Sequence, residues 1–181
     1  MRNTVLSALA LAAALLSPIL LSPTAHGGEA RAATVGPSGL PLPRFVSLKA
    51  SQANLRIGPG TTYPVEWTYV KRGLPLEIIQ EYDNWRRVRD ADGTEGWVSQ
   101  ALLSGRRTAM VAPWDAGQGT LLDLRADASD AAPAIARVEP GAMGEVIACS
   151  GQWCRVDFSG TKGWMEQSRL WGVYPGEKVE N

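Results

Sequence analysis

The sequence predicts an all-β protein that consists of two small barrels, one after the other along the chain. The stretch GWVSQALLSG from Gly96 to Gly105 returns as GWMEQSRLWG from Gly163 to Gly172, with five of ten positions identical. After residue 33, no segment keeps a helical apolar period over three turns. Short segments of alternating polarity, separated by turn residues, recur instead, which is typical of small β barrels or sandwiches.

The repeat extends through most of the chain. Leu55-Arg56 returns as Leu124-Arg125 after 69 residues, the offset is 68 in the middle of each copy, and it is 67 at the Gly-Trp pairs. Turns accept a lost residue, whereas a one-residue slip in a strand turns every side chain to the other face. We therefore place one loss around Gly58-Pro59-Gly60 and the other near Asp90–Gly93.

The N-terminal segment, residues 1–33, predicts a secretory signal peptide. Arg2 precedes an apolar stretch from Val5 to Leu21, and small residues suitable for cleavage follow at Ala30–Ala33. An uncleaved membrane anchor is the alternative, but a membrane-spanning helix needs about 20 apolar residues and Pro18 interrupts this shorter run. We expect export to the periplasm or the medium, with no stable membrane insertion once the leader is removed.

The remaining chain divides into four parts. Residues 34–43 contain three prolines and predict an extended linker. Residues 44–112 are expected to form the first barrel and residues 113–175 the second, followed by a polar tail at 176–181.

Each copy contains the same succession of strands. In the first copy, Pro75–Tyr82 alternates in polarity, Asp83-Asn84 marks a turn, and Asp92-Gly93 is a strong hairpin signal. The second copy repeats this order with GEVIAC, WCRVDF and TKGWME. A single 3₁₀ turn is expected at Ser99–Leu102 and at Glu166–Arg169.

The repeated tryptophans are expected to be structural. A domain of about 60 to 70 residues depends on a few large side chains, and tryptophan supplies much buried area. We expect Trp97 and Trp164 to be core residues, whose truncation to alanine would cost roughly 3–5 kcal/mol.

The two cysteines, Cys149 and Cys154, flank Ser-Gly-Gln-Trp. A zinc site needs four ligands, and a redox CxxC motif has two intervening residues rather than four. Since export implies an oxidising compartment, we predict a structural disulfide across a hairpin. Two buried free thiols are the alternative.

Composition excludes several kinds of function. The one histidine, His26, lies in the predicted leader, so the chain beyond it lacks Ser-His or Cys-His nucleophile pairs and histidine metal ligands. Beyond residue 33 the chain has 16 Lys and Arg against 17 Asp and Glu, which gives no electrostatic case for nucleic acid. We expect no cofactor and no metal.

Five motifs of the first copy occur in an order that resembles the bacterial SH3 (SH3b) domain. They are an Asn-Leu-Arg entry at Asn54, the Gly58-Pro59-Gly60 turn, Gly73, the W-x-x-V motif at Trp85, and Gly96-Trp97-Val98. The resemblance covers roughly residues 45–111. The second copy, about 114–174, is similar to the same family less closely, because Asp123 replaces Asn54 and the aromatic residues Tyr63 and Trp67 have no counterpart.

The resemblance implies a five-stranded, partly open barrel that binds peptides rather than catalysing a reaction. The groove under the long first loop would then carry the candidate ligand-binding residues, which are Asn54, Arg56, Tyr63, Trp67, Tyr82 and Trp85. Structural roles are the alternative for each of them. Arg56, which recurs as Arg125, would hold the loop through carbonyl groups, and the aromatic residues would cover or pack the barrel.

Three functions are compatible with these features. The first is an exported module that binds cell-wall peptides or a segment of an envelope protein. The second is a structural adaptor in an envelope assembly without peptidoglycan contact. The third is an enzyme that uses a carboxylate pair such as Asp90/Asp92 or Asp127/Asp130. Because these aspartates lie in stretches rich in turn residues, we expect them to shape turns and expect no catalysis.

Overall fold

The computed structural model describes residues 34–180. The predicted leader, residues 1–33, lies outside these residues. In the part that is described, no helix is both long and apolar enough to cross a membrane.

The first barrel is a seven-stranded sheet in the order β5-β4-β8-β7-β6-β3-β9, preceded by a separate two-stranded hairpin. All neighbouring strands are antiparallel. The strands are β1 (Thr34–Val35), β2 (Pro41–Leu42), β3 (Arg44–Leu48), β4 (Ala53–Arg56), β5 (Val65–Tyr69), β6 (Pro75–Tyr82), β7 (Trp85–Arg89), β8 (Glu95–Ser99) and β9 (Leu103–Ser104).

The second barrel repeats this strand order as β12-β11-β15-β14-β13-β10-β16, with one further strand, β17, beside β13. The equivalence of the two orders confirms the predicted all-β fold with two tandem barrels. The strands are β10 (Thr108–Val111), β11 (Leu122–Arg125), β12 (Ala134–Val138), β13 (Met143–Ser150), β14 (Trp153–Phe158), β15 (Thr161–Glu166), β16 (Leu170–Trp171) and β17 (Lys178–Glu180).

Several local predictions are confirmed by these bounds. A 3₁₀ turn follows the Gly-Trp strand in each barrel, at Gln100–Leu102 and Gln167–Arg169. The hairpin between β7 and β8 turns at Asp92-Gly93, where Gly93 has a φ of +84°. A positive φ favours glycine, which explains why the turn signal in the sequence was reliable here.

The boundary between the barrels differs from the prediction. We placed it after residue 112, but β10 pairs with β13 and β16 of the second sheet, so the second barrel already begins at Thr108. The predicted tail also belongs to this barrel, because β17 pairs with β13. The connection between the barrels is therefore the short segment 105–107.

Each barrel encloses its own apolar core. The fully buried side chains of the first core include Leu48, Leu55, Leu76, Ile78, Val88 and Val98. Those of the second core include Val111, Leu124, Val146, Val156, Met165 and the disulfide-bonded Cys154.

The expectation that Trp97 and Trp164 are core residues is corrected by the structure. Both are only partly buried. Side chains alternate along a strand, and on β8 it is Val98, at 0% exposure, that faces the core. The preceding glycine allows β8 to approach β4 closely, because a Cβ on Gly96 would lie 2.5 Å from Leu55 Cγ. The repeated Gly-Trp pair therefore reflects the close approach of β8 to β4 at the glycine, and not burial of the tryptophan ring.

Residues 34–43 form the β1–β2 hairpin and not the extended linker that the prolines suggested. The hairpin is attached to the first barrel through Glu81, whose carboxylate accepts hydrogen bonds of 2.8 Å from both the backbone N and the Oγ of Ser38. Arg44 Nη2 lies 2.6 Å and Arg86 Nε 3.3 Å from Glu81 Oε1. Burial alone would raise the pKa of Glu81, but the hydrogen bonds from Ser38 and Arg44 outweigh it and lower the pKa to about 2.

The predicted disulfide between Cys149 and Cys154 is confirmed. These residues are opposite each other in the β13–β14 pair, at the position that Glu81 and Arg86 occupy in the β6–β7 pair. The same cross-strand position thus holds a buried ion pair in the first barrel and a covalent bond in the second.

The two barrels contact each other through an aromatic cluster. The ring of Phe45 lies 5.1 Å from that of Trp171 and 4.7 Å from that of Tyr174, measured between centroids. The Tyr174 hydroxyl donates a hydrogen bond of 2.9 Å to Glu77 Oε1, and Trp171 Nε1 donates one of 3.3 Å to the carbonyl of Pro75. Directional contacts of this kind fix the orientation of one barrel against the other.

Lowering the pH should remove the stabilisation that Glu81 provides. The folded-state pKa of about 2 lies below the ordinary value of 4.5, so this stabilisation is present above pH 4.5 and is lost as the pH falls towards 2. We expect Glu81→Gln to lower the free energy of unfolding by about 3 kcal/mol at neutral pH. Urea unfolding at a series of pH values should show this difference shrinking through the same window.

The control is Glu66→Gln, which removes one negative charge from an exposed position on β5. A difference between Glu81→Gln and the wild-type chain that stays constant over the acidic window would contradict the assignment.

Candidate functional site

A groove of about 360 Å³ lies on the first barrel, between the start of β4, the first loop and the end of β8. We call it the first groove. Its lining residues are Gln52, Ala53, Asn54, Arg56, Thr61, Trp85, Ser99 and Leu102.

The loop beside this groove, residues 57–64, is held by Arg56. Its Nη1 donates a hydrogen bond of 2.6 Å to the carbonyl of Tyr63. At the base of the loop, Ile57 N donates to the carbonyl of Pro64 at 3.2 Å. Arg56 therefore ties the end of β4 to the far side of the loop, in addition to the backbone hydrogen bonds within the loop.

Asn54 and Trp85 provide the groove with a polar and an aromatic surface. Asn54 Oδ1 accepts a hydrogen bond of 3.1 Å from Thr68 Oγ1, which leaves its amide nitrogen available. Trp85 is partly buried at the start of β7, where it pairs with Ser99 of β8. An aromatic face next to an amide is a suitable surface for an extended peptide.

The other three candidate residues lie on the surface outside the lining of the groove. Tyr63 is 45% exposed, Trp67 59% and Tyr82 60%. The Tyr63 ring folds over the loop, where a Cβ on Gly58 would lie 2.4 Å from Tyr63 Cδ1. Trp67 lies on β5, the edge strand of the sheet, and Tyr82 pairs with Trp85 at the end of the β6–β7 hairpin. The structure thus brings three of the six candidates into one groove and leaves three exposed aromatic rings around the barrel.

Five lining residues were missed by the sequence analysis, namely Gln52, Ala53, Thr61, Ser99 and Leu102. Of these residues, Ser99 could have been predicted from the sequence. It follows Trp97 by two positions on β8, so both side chains lie on the outer face of the strand. Gln52 and Thr61 belong to loops, whose positions no periodicity indicates.

The second barrel has an equivalent groove of about 280 Å³, which we call the second groove. Asp123, Arg125 and Trp153 occupy the places of Asn54, Arg56 and Trp85. The full lining consists of Asp115, Thr120, Leu121, Leu122, Asp123, Arg125, Trp153, Met165, Glu166 and Arg169.

The second groove is much more highly charged than the first. Arg56 is the one charged residue in the lining of the first groove, whereas the second contains three carboxylates and two arginines. Arg169 lies 3.7 Å from Asp115 and Arg125 lies 3.5 Å from Asp123, so these charges are largely paired with one another. Trp153 is also more deeply buried, at 9% exposure.

The strand register corrects the position of the first deletion in the repeat. Arg56 pairs with Val65 and Arg125 with Ala134, so the loops 57–64 and 126–133 have equal length. The offset stays at 69 as far as Tyr69 and its counterpart Val138, both of which are buried. The residue is therefore lost in the next turn, before Gly73, and not at Gly58-Pro59-Gly60.

This register identifies the counterparts of the exposed aromatic residues. Arg125 Nη1 donates a hydrogen bond of 2.8 Å to the carbonyl of Ala132, as Arg56 does to Tyr63. Tyr63 thus corresponds to Ala132, and Trp67 corresponds to Ala136. The backbone restraint occurs in both barrels, whereas the aromatic surface occurs in the first.

The carboxylate pairs considered for catalysis are engaged in turns. Asp90 Oδ1 accepts hydrogen bonds from the backbone N of Asp92 and of Thr94, and Oδ2 accepts one from the Tyr69 hydroxyl. Asp127 Oδ1 accepts one from the backbone N of Ala128. Burial, together with Asp90, raises the pKa of Tyr69. Within residues 34–180 no group of three or more His, Cys, Asp or Glu is placed to hold a metal ion.

Comparison with known proteins gives a family match in both barrels. The family model described as "Bacterial SH3 domain" matches residues 49–105 and 118–172. The putative N-acetylmuramoyl-L-alanine amidase YrvJ of Bacillus subtilis (strain 168) is 24% identical over 138 residues, which make up 68% of this chain and 26% of that protein. The chain spans about a quarter of the length of this curated relative.

Two solved structures are similar at low identity. NlpC2 from Trichomonas vaginalis is 12% identical with a TM-score of 0.32, over 71% of this chain and 48% of that one. An NlpC/P60 family protein from Bacillus cereus ATCC 10987 is also 12% identical with a TM-score of 0.32, over 71% of this chain and 56% of that one. These scores are too low to transfer the position of any residue.

Replacing Arg56 should release the first loop without unfolding the barrel. In Arg56→Met the Tyr63 carbonyl loses its charged donor, so amides of residues 57–64 should exchange with solvent about tenfold faster or more. Hydrogen exchange followed by mass spectrometry measures this, with strands β6 and β7 as internal reference. Arg72→Met, at an exposed arginine, is the matched control. Unchanged exchange in the loop of Arg56→Met would show that the loop is held by other contacts.

Proposed function

Because this chain belongs to the bacterial SH3 domain family, we propose that it is a non-catalytic, exported binding protein whose first barrel holds a peptide of the cell wall or a segment of an envelope protein. The family matches cover residues 49–105 and 118–172, which is most of the chain beyond the predicted leader. The curated relative reported above is named a putative N-acetylmuramoyl-L-alanine amidase, and this chain matches 26% of it. Export rests on the sequence of residues 1–33.

The observation that carries the proposal is the difference between two surfaces with the same backbone. Tyr63 and Trp67 are exposed on the first barrel, and alanines occupy their places on the second. Trp67 lies opposite Leu55 in the β4–β5 pair but is 59% exposed, so most of its ring is available on the surface, and tryptophan is enriched among the residues that dominate binding. The difference therefore supports a ligand at the first barrel.

The chemistry of the first groove suits a peptide with little charge. Trp85 offers a flat apolar face, while Asn54, Gln52 and Ser99 can pair with the amide groups of an extended chain. The exposed rings of Tyr63 and Trp67, which lie outside the lining of the groove, would add apolar contacts where a bound peptide extends beyond it.

In this proposal the second barrel supports the first and does not bind the same ligand. The carboxylates of the second groove, Asp123 and Glu166, would have to lose water on binding a neutral peptide, at a cost in free energy. Its aromatic residue, Trp153, is largely covered already.

Calorimetric titration of the purified protein with soluble muropeptides tests the proposal. We expect saturable binding in the millimolar range or tighter, and we expect Trp67→Ala to weaken it about tenfold because the largest exposed aromatic contact of the first barrel is lost. Trp114→Ala is the matched control, since Trp114 is 54% exposed but belongs to the second barrel. This control should bind like the wild-type chain.

Two results would contradict the proposal in different ways. Absence of binding at millimolar muropeptide would exclude the cell-wall ligand. An equal loss of affinity in Trp67→Ala and Trp114→Ala would place the ligand elsewhere.

A structural adaptor in an envelope assembly is the second candidate, and the contact between the barrels favours it. The aromatic cluster of Phe45, Trp171 and Tyr174 joins the barrels firmly, and a fixed orientation is useful for presenting two surfaces to a partner. Sedimentation with purified peptidoglycan separates the two candidates. Retention that Trp67→Ala abolishes supports wall binding, whereas no retention favours the adaptor.

A further inference from the structure

A third cavity, of about 790 Å³, lies where the two barrels and the N-terminal hairpin meet. We call it the inter-barrel pocket. Leu40 of the N-terminal hairpin, Phe45 of β3, the connecting segment 105–107 and Val179 of β17 all contribute to its wall. Its volume is within the range of about 300–1,000 Å³ that is usual for small-molecule sites.

The charged residues that line this pocket are all cations. They are Arg44, Lys49, Arg86 and Arg107. The carboxylates that pair with three of these cations, Glu81 and Glu177, do not belong to the lining. Four cations against two carboxylates leave an excess of two positive charges at the pocket, which favours an anion there.

Two of the cations have hydrogen-bonding capacity that the described residues leave unused. Lys49 is exposed at the rim, and within residues 34–180 it forms no ion pair. The Nε–H of Arg107 is buried without a hydrogen-bond partner, although both Nη atoms of this residue bind Glu177. A buried donor without an acceptor is unfavourable, and a nearby negative charge would offset the positive potential of this arginine.

The remainder of the wall is apolar. Phe45, Val46, Ile78 and Val179 are buried residues that form its floor, and Leu40, at 50% exposure, lies at its edge. An inorganic anion would use the charges but not this floor. The combination fits a ligand in which an anionic group is joined to an apolar body.

We propose that the inter-barrel pocket binds a carboxylate attached to an apolar body. The carboxylate would lie at Lys49, and the apolar part would cover Leu40 and the floor around Phe45 and Val179. Both the end of a peptide chain with an apolar last residue and a free fatty acid carry this chemistry. Because three separate parts of the chain line the pocket, the bound ligand would also hold them together and stabilise the folded state.

Three probes test this inference on the full chain by calorimetry and by the amide NMR signals of the lining residues. They are the free acid of acetyl-leucyl-leucine, the corresponding C-terminal amide, and octanoate. We expect the free acid to bind about tenfold more tightly than the amide, because the amide lacks the charge that Lys49 attracts. Binding of the peptide acid without octanoate identifies a chain end as the ligand, and binding of octanoate alone identifies a fatty acid. Measurable binding of the acid and the amide with equal affinity, or binding of none of the probes at millimolar concentration, would overturn the proposal.

Variants at exposed positions locate the binding. Lys49→Ala should weaken binding of the free acid about fivefold to tenfold, whereas Lys71→Ala, an exposed lysine outside the lining, should leave it unchanged. The thermal midpoint of both variants confirms that the fold is intact. Trp67→Ala should also leave this binding unchanged, so the result is independent of the ligand proposed for the first groove. Unchanged binding in Lys49→Ala would contradict the assignment.

Discussion

In each barrel, one arginine donates a hydrogen bond to a carbonyl of the first loop. The position of this loop, and with it the surface beside the groove, depends on that hydrogen bond. Arg56 binds the carbonyl of Tyr63, and Arg125 binds that of Ala132 with the same geometry. A charged donor that binds a carbonyl seven residues away closes the loop without any contribution from the side chain that carries this carbonyl. That side chain is therefore free to differ, and it is an exposed ring in one barrel and a methyl group in the other.

The end of the long hairpin shows that one structural position can be stabilised in chemically different ways. The Glu81–Arg86 ion pair and the Cys149–Cys154 disulfide occupy the same cross-strand site. The buried carboxylate is stabilised because Ser38 and Arg44 supply it with further donors, since a buried charge with too few partners is destabilising. The disulfide needs no such partners. This explains why the segment before the first barrel must fold back onto it, which a proline-rich linker would not do.

Much of the fold could be predicted from the sequence, because alternation and turn residues report local geometry directly. The strand Pro75–Tyr82 has the predicted bounds for this reason. What failed depends on contacts between distant residues. Trp97 was assigned to the core by its size, but the register of β8 turns Val98 inwards. The role of Glu81 was not visible, because its partner lies 43 residues away. For the groove, the pairing of β4 with β5 and of β11 with β12 shows which residues of the two repeats are equivalent. The sequence alone does not determine where the offset between the repeats changes from 69 to 68.

The equivalent grooves of the two barrels thus differ in charge and in the exposure of their tryptophan. The second groove contains paired charges and a largely buried tryptophan, whereas the first groove has one charged residue and a partly buried tryptophan. The second barrel remains necessary because Trp171 and Tyr174 pack on Phe45, and Phe45 also forms part of the floor of the inter-barrel pocket. The contact between the barrels in this way creates a surface that neither barrel has alone. The strand order is the same in both barrels although the groove residues differ, because the cores depend on the strand order and not on the groove residues.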